Sequence, residues 1–118
     1  MMDLSPELID AFARKGITLI DESAQDSYNT YPLVTYSLDT DTDSAVGDNI
    51  GYDNIGYTIN VWARSKAEMA ATAIKVDIIM KMLRFERTGG LEQVNGGLYR
   101  KIMTYYKIVR EVYEKGEI

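Results

Sequence analysis

Apolar residues recur along the chain at two spacings, one typical of helices and one typical of strands. The first helix is predicted to begin at Ser5-Pro6-Glu7, where a capping residue precedes a proline suited to the first helical position, and to end at Gly16. Its apolar stripe consists of Leu8, Ile9, Phe12 and Ala13. A helix of about ten residues is marginal alone, so we expect it to pack on the rest of the chain.

Two segments in the middle of the chain have the composition of β-strands. Residues 32–38 are rich in β-branched and aromatic residues, with proline only at the start. Residues 57–63 alternate, so that Ile59 and Val61 share one face and Asn60 and Trp62 the other. A further short strand is predicted at 17–20. Trp62 has two interpretations, as part of a second core layer under the long helix or as an anchor in a subunit contact.

Between these strands, residues 39–55 are dense in aspartate, glycine and asparagine. A five-residue unit, DNIGY, occurs twice in tandem at 48–52 and 53–57. This unit is much shorter than a solenoid repeat. We therefore interpret it as a duplication tolerated in a surface loop or at the tip of a long hairpin.

The best-defined element is a helix that begins with the capping box Ser65-Lys66-Ala67-Glu68 and runs to about residue 83. One apolar row predicts its buried side, and further apolar residues widen that row. The row is Met69, Ala73, Val76, Met80 and Leu83, widened by Ala70, Ile74 and Ile78. Asp77 and Lys81 are spaced for an ion pair on the far side.

The last third of the chain contains glycine pairs that predict turns, one over residues 85–90 and one at Asn95-Gly96-Gly97. The apolar spacing of residues 98–113 fits either a helix or a strand. The content of tyrosine, isoleucine, valine and threonine in this segment favours a long strand.

Composition restricts the available chemistry. The 118 residues have the length of one domain, 1–118, and include no cysteine and no histidine. This excludes disulfide scaffolds, zinc ribbons, cysteine nucleophiles and imidazole catalysis. Asp39, Asp41 and Asp43 resemble the start of a calcium loop, but Ser44 replaces the required glycine and Ile50 the bidentate glutamate. We expect no catalytic, cofactor-binding or metal-binding residues.

Charge is distributed unevenly along the chain. Residues 1–59 contain 11 acidic and 2 basic residues, whereas residues 60–118 contain 7 acidic and 11 basic ones. Either each half has its own solvated surface, or copies of the chain pack head to tail, acidic surface against basic surface. The net charge of -5 opposes specific nucleic-acid binding. No segment reaches the roughly 20 apolar residues of a transmembrane helix, and no signal peptide is expected.

Three segments carry a resemblance to a known family: YPLVTYSL at 31–38 with the aspartate-bearing loop after it, residues 57–90, and LYRKIMTYYKI at 98–108. In the second, the strand containing Ile59-Asn60-Val61-Trp62 runs straight into the capped helix, which ends in Phe85-Glu86-Arg87-Thr88-Gly89-Gly90. This pattern resembles the tail-terminator (tail-completion, head-to-tail joining) proteins of long-tailed bacteriophages. In that family a glycine precedes the phenylalanine, where this chain has Arg84.

The resemblance implies an α+β fold with two helices packed on a mixed, mainly antiparallel sheet of about four strands, in the order α-β-β-α-β-β. It also implies a virion structural protein, made in the cytoplasm of the bacterial host, that acts without a cofactor. Such proteins form rings, typically of six copies, between the tail tube protein and the head connector or stopper protein. The candidate interface residues are Asp39, Asp41, Asp43, Asp48, Asp53, Trp62, Arg84, Arg87 and Arg100.

Other functions stay open at this point. Another neck or connector component would share the fold and the need to assemble. A small protein-binding adaptor would form a dimer instead of a ring. An enzyme that depends on carboxylates or tyrosine would need acidic residues to converge in a pocket, whereas most acidic residues here lie in predicted loops or on an exposed helix face.

Overall fold

A computed structural model describes residues 3–45 and 50–112, with the side chains of 3–39 and 54–109. The order is α1 (Ser5–Arg14), β1 (Leu19–Asp21), a 3₁₀ helix (Glu22–Ser27), β2 (Leu33–Ala45), β3 (Ile50–Ala63), α2 (Lys66–Met82), β4 (Glu86–Asn95) and β5 (Leu98–Val112). The α+β class is confirmed. The described chain has a fifth strand and a 3₁₀ helix beyond the predicted elements.

The five strands form one mixed sheet in the order β1-β2-β3-β5-β4. Only β1 and β2 run parallel, with Leu19 opposite Val34, and the other three pairs are antiparallel. The strand interpretation of residues 98–113 is confirmed over Leu98–Val112, which pairs with β3 on one side and β4 on the other.

Two segments predicted to be loops or turns are strands. Residues 40–45 pair with 51–56, so the long-hairpin interpretation of 39–55 is confirmed and the surface loop is wrong. The predicted turn at 85–90 is largely strand β4. Gly89 belongs there for a steric reason, since a Cβ at this position would lie 3.2 Å from the hydroxyl oxygen of Thr104 on β5.

The core lies between the sheet and the two α-helices, which cover the same face. Alternate residues of the central strands point into it, and the largest buried side chains include Tyr57, Ile59, Met103 and Tyr105 from the sheet. The helices contribute Leu8 and Phe12 from α1 and Met69, Val76, Ile79 and Met80 from α2. Neither α1 nor α2 covers the opposite face, which we call the open sheet face.

The first turn of α1 is tied to β3 by a tyrosine. The Tyr57 hydroxyl donates to Asp3 Oδ1 at 3.0 Å and lies 3.0 Å from the Ser5 hydroxyl, while the Leu4 amide donates to Tyr57 at 3.1 Å. Ser5 is the first residue of α1, and Leu4 takes the N-cap position. The prediction that the Ser5 hydroxyl caps the first turn is therefore wrong. Burial raises the pKa of Tyr57 to about 12.

The predicted capping box of α2 is confirmed, because the Ser65 hydroxyl accepts a hydrogen bond from the Glu68 amide at 3.1 Å. The main apolar row is buried as predicted, with Leu83 partly buried, but the widening of that row is wrong, because Ala70, Ile74 and Ile78 are all exposed. Ile74 is 62% exposed and Ile78 53%, and Met82 beyond them is 61% exposed. The apolar residues of α2 surround the helix, and only one side can face the sheet.

The end of α2 places Arg84 in a conformation that favours glycine. The Phe85 amide donates to the Met80 carbonyl at 2.9 Å and the Arg84 amide to the Lys81 carbonyl at 3.0 Å, which is the Schellman pattern of helix termination. Arg84 has a φ of 70°, in the left-handed region. The Lys107 ammonium adds a 2.7 Å bond to the Leu83 carbonyl.

Replacing Arg84 by glycine is expected to stabilise the protein, because it relieves the left-handed strain of a residue that has a Cβ. The expected gain is about 1 kcal/mol, or roughly 4 °C in Tm, measured by thermal unfolding. Arg84→Ala is the matched control, since it removes the same charge and keeps the strain. An equal gain in both variants would mean that the charge, and not the backbone, destabilises the native protein.

Candidate subunit interface

The two sides of the sheet come from the two differently charged halves of the sequence. The acidic half of the sequence provides β1 and β2 at one edge, and the basic half provides β5 and β4 at the other. The strand β3 separates them at the centre. The charge asymmetry of the sequence is thus an asymmetry between two sides of the fold, which is the arrangement that head-to-tail packing requires.

Asp39 is the one predicted interface aspartate whose side chain the structure describes. It is exposed and lies at an irregularity in the pairing of β2 with β3. Its carboxylate accepts hydrogen bonds from the Ser37 hydroxyl at 3.1 Å and from the Thr58 hydroxyl. These bonds hold Asp39 at the open sheet face, because Thr58 alternates with the core residues of β3.

The other predicted aspartates follow Asp39 along the hairpin. The backbones of Asp41, Asp43 and Asp53 belong to β2 and β3, where Asp43 lies opposite Asp53. Their side chains are outside the described part of the chain, and so is all of Asp48. The register places Asp41 opposite Ile55, the core residue of β3 nearest the hairpin end, and places Asp43 and Asp53 beyond it.

The three predicted arginines do not form one cluster. Arg84 is exposed after α2, and Arg87 pairs in register with buried Tyr105, on the side of the sheet that faces the helices. The Arg87 Nε donates to the Gly89 carbonyl at 3.3 Å. Arg100 lies five residues from Tyr105 along β5, roughly 17 Å away, and on the open sheet face.

Arg100 and Trp62 form a pair on the open sheet face. The Arg100 guanidinium lies 4.5 Å from the centre of the Trp62 ring, and its Nε donates to Asn60 Oδ1 at 3.1 Å. The interpretation of Trp62 as core beneath the long helix is wrong, because Trp62 is on the side of the sheet away from α2. Its role as an anchor in a subunit contact stays a hypothesis.

Three buried polar atoms on this same face have no hydrogen-bond partner within the described residues: Thr35 Oγ1, Asn60 Nδ2 and Trp62 Nε1. Thr35 and Asn60 are opposite each other on β2 and β3, and Trp62 is the next residue of β3 on that face. Buried polar groups in native structures are nearly always paired. Their clustering distinguishes this part of the sheet from the helix-covered side.

The groove between α2 and β4 contains titratable groups that are already partnered. Asp77 accepts from the Lys81 ammonium at 3.0 Å and from the Tyr105 hydroxyl at 3.0 Å. Burial acts to raise the pKa of Asp77, but the bonds and charge of Lys81 and the bond from Tyr105 outweigh it and lower the pKa. Burial, together with Asp77, raises the pKa of Tyr105. An aspartate held ionised in this way is a weak base, and the pair fastens α2 to β5.

The features missed at the level of sequence are the exposed apolar residues. They include Ile74, Ile78 and Met82 on α2 and Leu91, Tyr106 and Ile108 on the sheet. For α2 a signal existed, since its apolar residues are spread almost evenly around the helix. For the sheet no local signal existed, because the exposed face depends on which side the helices pack.

Replacing Arg100 by alanine is expected to destabilise the protein by about 1–2 kcal/mol, because a cation–π contact and the bond to Asn60 are lost. Trp62 is the single tryptophan, so its fluorescence should shift to longer wavelengths as the ring gains water. Arg64→Ala, which removes a similar contact to Tyr31 at 4.7 Å, is the control and should leave the emission unchanged. Unchanged emission in Arg100→Ala would contradict the pairing.

No protein-family model matches the sequence, and neither does any curated protein. In the described residues, no helix is both long and apolar enough to cross a membrane. The same residues contain no group of three or more acidic side chains placed to hold a metal ion.

Proposed function

We propose that this chain is a phage or prophage virion protein that forms a hexameric ring at the end of the tail tube and joins it to the head connector. The observation that carries the proposal is the turn after α2. The resembling family has glycine before the phenylalanine, and Arg84 has the left-handed φ of 70° that favours glycine. The backbone therefore agrees with the family pattern at the position where the residue type departs from it.

The order of the resembling segment also supports the proposal. The paired strands β2 and β3 lead into α2, with only Arg64 and Ser65 between β3 and the helix. The final strand follows after the Schellman turn. This segment extends from residue 31 to residue 106 and forms the centre of the sheet, so the likeness concerns the core architecture and not a peripheral motif.

Ring formation fits the distribution of charge across the fold. A closed ring requires heterologous contacts, in which two different surfaces of each copy meet. The charged residues of β1 and β2 on one side of the sheet are all acidic, whereas β5 on the other side is mainly basic, so the subunit is electrostatically polar. Such polarity favours a head-to-tail orientation of neighbouring copies and opposes the reverse one.

The far part of the hairpin is suited to contact with a tail tube or connector. The strand β4 begins opposite Tyr106, so residues 41–45, 50–55 and 107–112 continue as a three-stranded arm beyond it. Six residues of strand extend about 20 Å. The molecule measures 56 × 23 × 23 Å, and the backbones of Asp41, Asp43 and Asp53 belong to this arm.

The direct test is the mass of the purified protein by light scattering over a range of concentrations, first alone and then with isolated tail tubes. We expect a closed ring, or a monomer that assembles at tube ends. A stable dimer indifferent to tubes would contradict the proposal and favour the adaptor. Assembly on isolated head connectors, without affinity for tubes, would contradict tail termination and identify another neck component.

Charge reversal in the arm tests its role. The variant Asp41→Lys/Asp43→Lys is expected to weaken ring formation or tube capping about tenfold, because attraction to a basic surface becomes repulsion. The control is Glu22→Lys/Asp26→Lys, which makes the same charge change on the 3₁₀ helix in the same acidic half. Equal assembly in both variants, at equal Tm, would exclude the arm as a contact.

A further inference from the structure

The helix α2 has a second apolar side that its own subunit leaves exposed. Ile74, Ile78 and Met82 follow one another at four-residue intervals and each is more than half exposed. Lys75 and Lys81 flank them on either side of the helix axis. We call Ile74, Ile78 and Met82 the outer stripe. Surface helices usually carry polar residues on the side away from the core, so the outer stripe indicates a surface that another molecule covers.

The open sheet face, on the far side of the same subunit, carries a second set of exposed apolar residues. Leu91 is 56% exposed, Tyr106 38% and Ile108 57%, and strand pairing places all three on this face. Its acidic residues include Asp39, tied to Thr58, and Glu86, which lies opposite Tyr106. The unpartnered polar atoms of Thr35, Asn60 and Trp62 belong to the same face.

We infer that the outer stripe of one copy packs against the open sheet face of the next copy in the ring. This inference rests on the proposed function and identifies its subunit contact. The two surfaces lie on opposite sides of one subunit, so a head-to-tail contact covers both of them. A twofold contact would cover one surface in each copy and leave the other exposed.

Charge supports the pairing of these two surfaces. Two cations flank the outer stripe: Lys75, and Lys81, whose ammonium is bonded to Asp77 of its own subunit. In a head-to-tail contact these cations meet Asp39 and Glu86 of the next copy. In a contact between two outer stripes, the lysines of one copy would face those of the other. Each copy of α2 then lies between two sheets, its own on one side and its neighbour's on the other, which accounts for apolar residues on both sides of the helix.

Cross-linking tests this contact directly, because the chain has no cysteine of its own. Ile78→Cys and Ile108→Cys, each on an exposed position, are purified separately, mixed and treated with a short thiol-reactive cross-linker. We expect covalent dimers in the mixture and none in either variant alone. The double variant should give a ladder of higher oligomers, since its two thiols are on opposite sides of the subunit and cannot react with each other.

Dimers formed by Ile78→Cys alone or by Ile108→Cys alone would show a twofold contact and overturn the inference. An absence of cross-links in a sample whose mass shows rings would also overturn it. These outcomes are separable from the proposed function. Rings that cross-link as expected but do not cap tubes would refute tail termination alone, whereas capping without these cross-links would refute the contact alone.

A charged substitution gives an independent test. Ile78→Glu is expected to weaken self-association about tenfold or more. The contact buries Ile78, and a carboxylate in its place would lose its water on association. Val94→Glu is the matched control: Val94 is 63% exposed and lies on the helix-facing side of β4, away from both surfaces. Equal association of the two variants, at equal Tm, would contradict the inference.

Discussion

The packing of α2 on β3 and β5 is the interaction on which the rest of the structure depends. Met69, Val76 and Met80 of the helix are buried with Ile59 and Met103 of the two strands. Because side chains alternate along a strand, this packing determines which residues of every paired strand point inward. It also determines what is left outside, namely the other side of α2 and the other face of the sheet.

Sequence predicts most reliably the elements that local residues specify. The capping box at Ser65 and the alternation over residues 57–63 place α2 and the inner part of β3 close to their observed bounds. The strand β4 was missed because Gly89 and Gly90 are typical of turns, while their place in the sheet depends on pairing with β5, which follows later in the chain. A local sequence pattern carries no information on which distant segments pair with each other.

The candidate site could be predicted only in part, for related reasons. The charge asymmetry is visible in the sequence, but its division between two sheet edges depends on β5 lying between β3 and β4. The buried side of α2 is ambiguous from periodicity alone, so the sequence predicts Ile74 and Ile78 to be buried, whereas the structure exposes both. The sequence allows two interpretations of Trp62 because a local pattern does not show which face of the sheet the helices cover.

The tandem DNIGY unit gives β3 two possible alignments with its neighbours. If the strand slipped by one unit, Ile50 and Tyr52 would take the positions of Ile55 and Tyr57 and present the same residue types. The residues after the repeat decide between the alignments. Asn54, Gly56 and Thr58 would then occupy the core positions of Ile59, Val61 and Ala63, all of which are fully buried. Most of the apolar burial of β3 would be lost. The apolar residues at the end of the strand therefore fix its register, which the repeat alone would leave ambiguous.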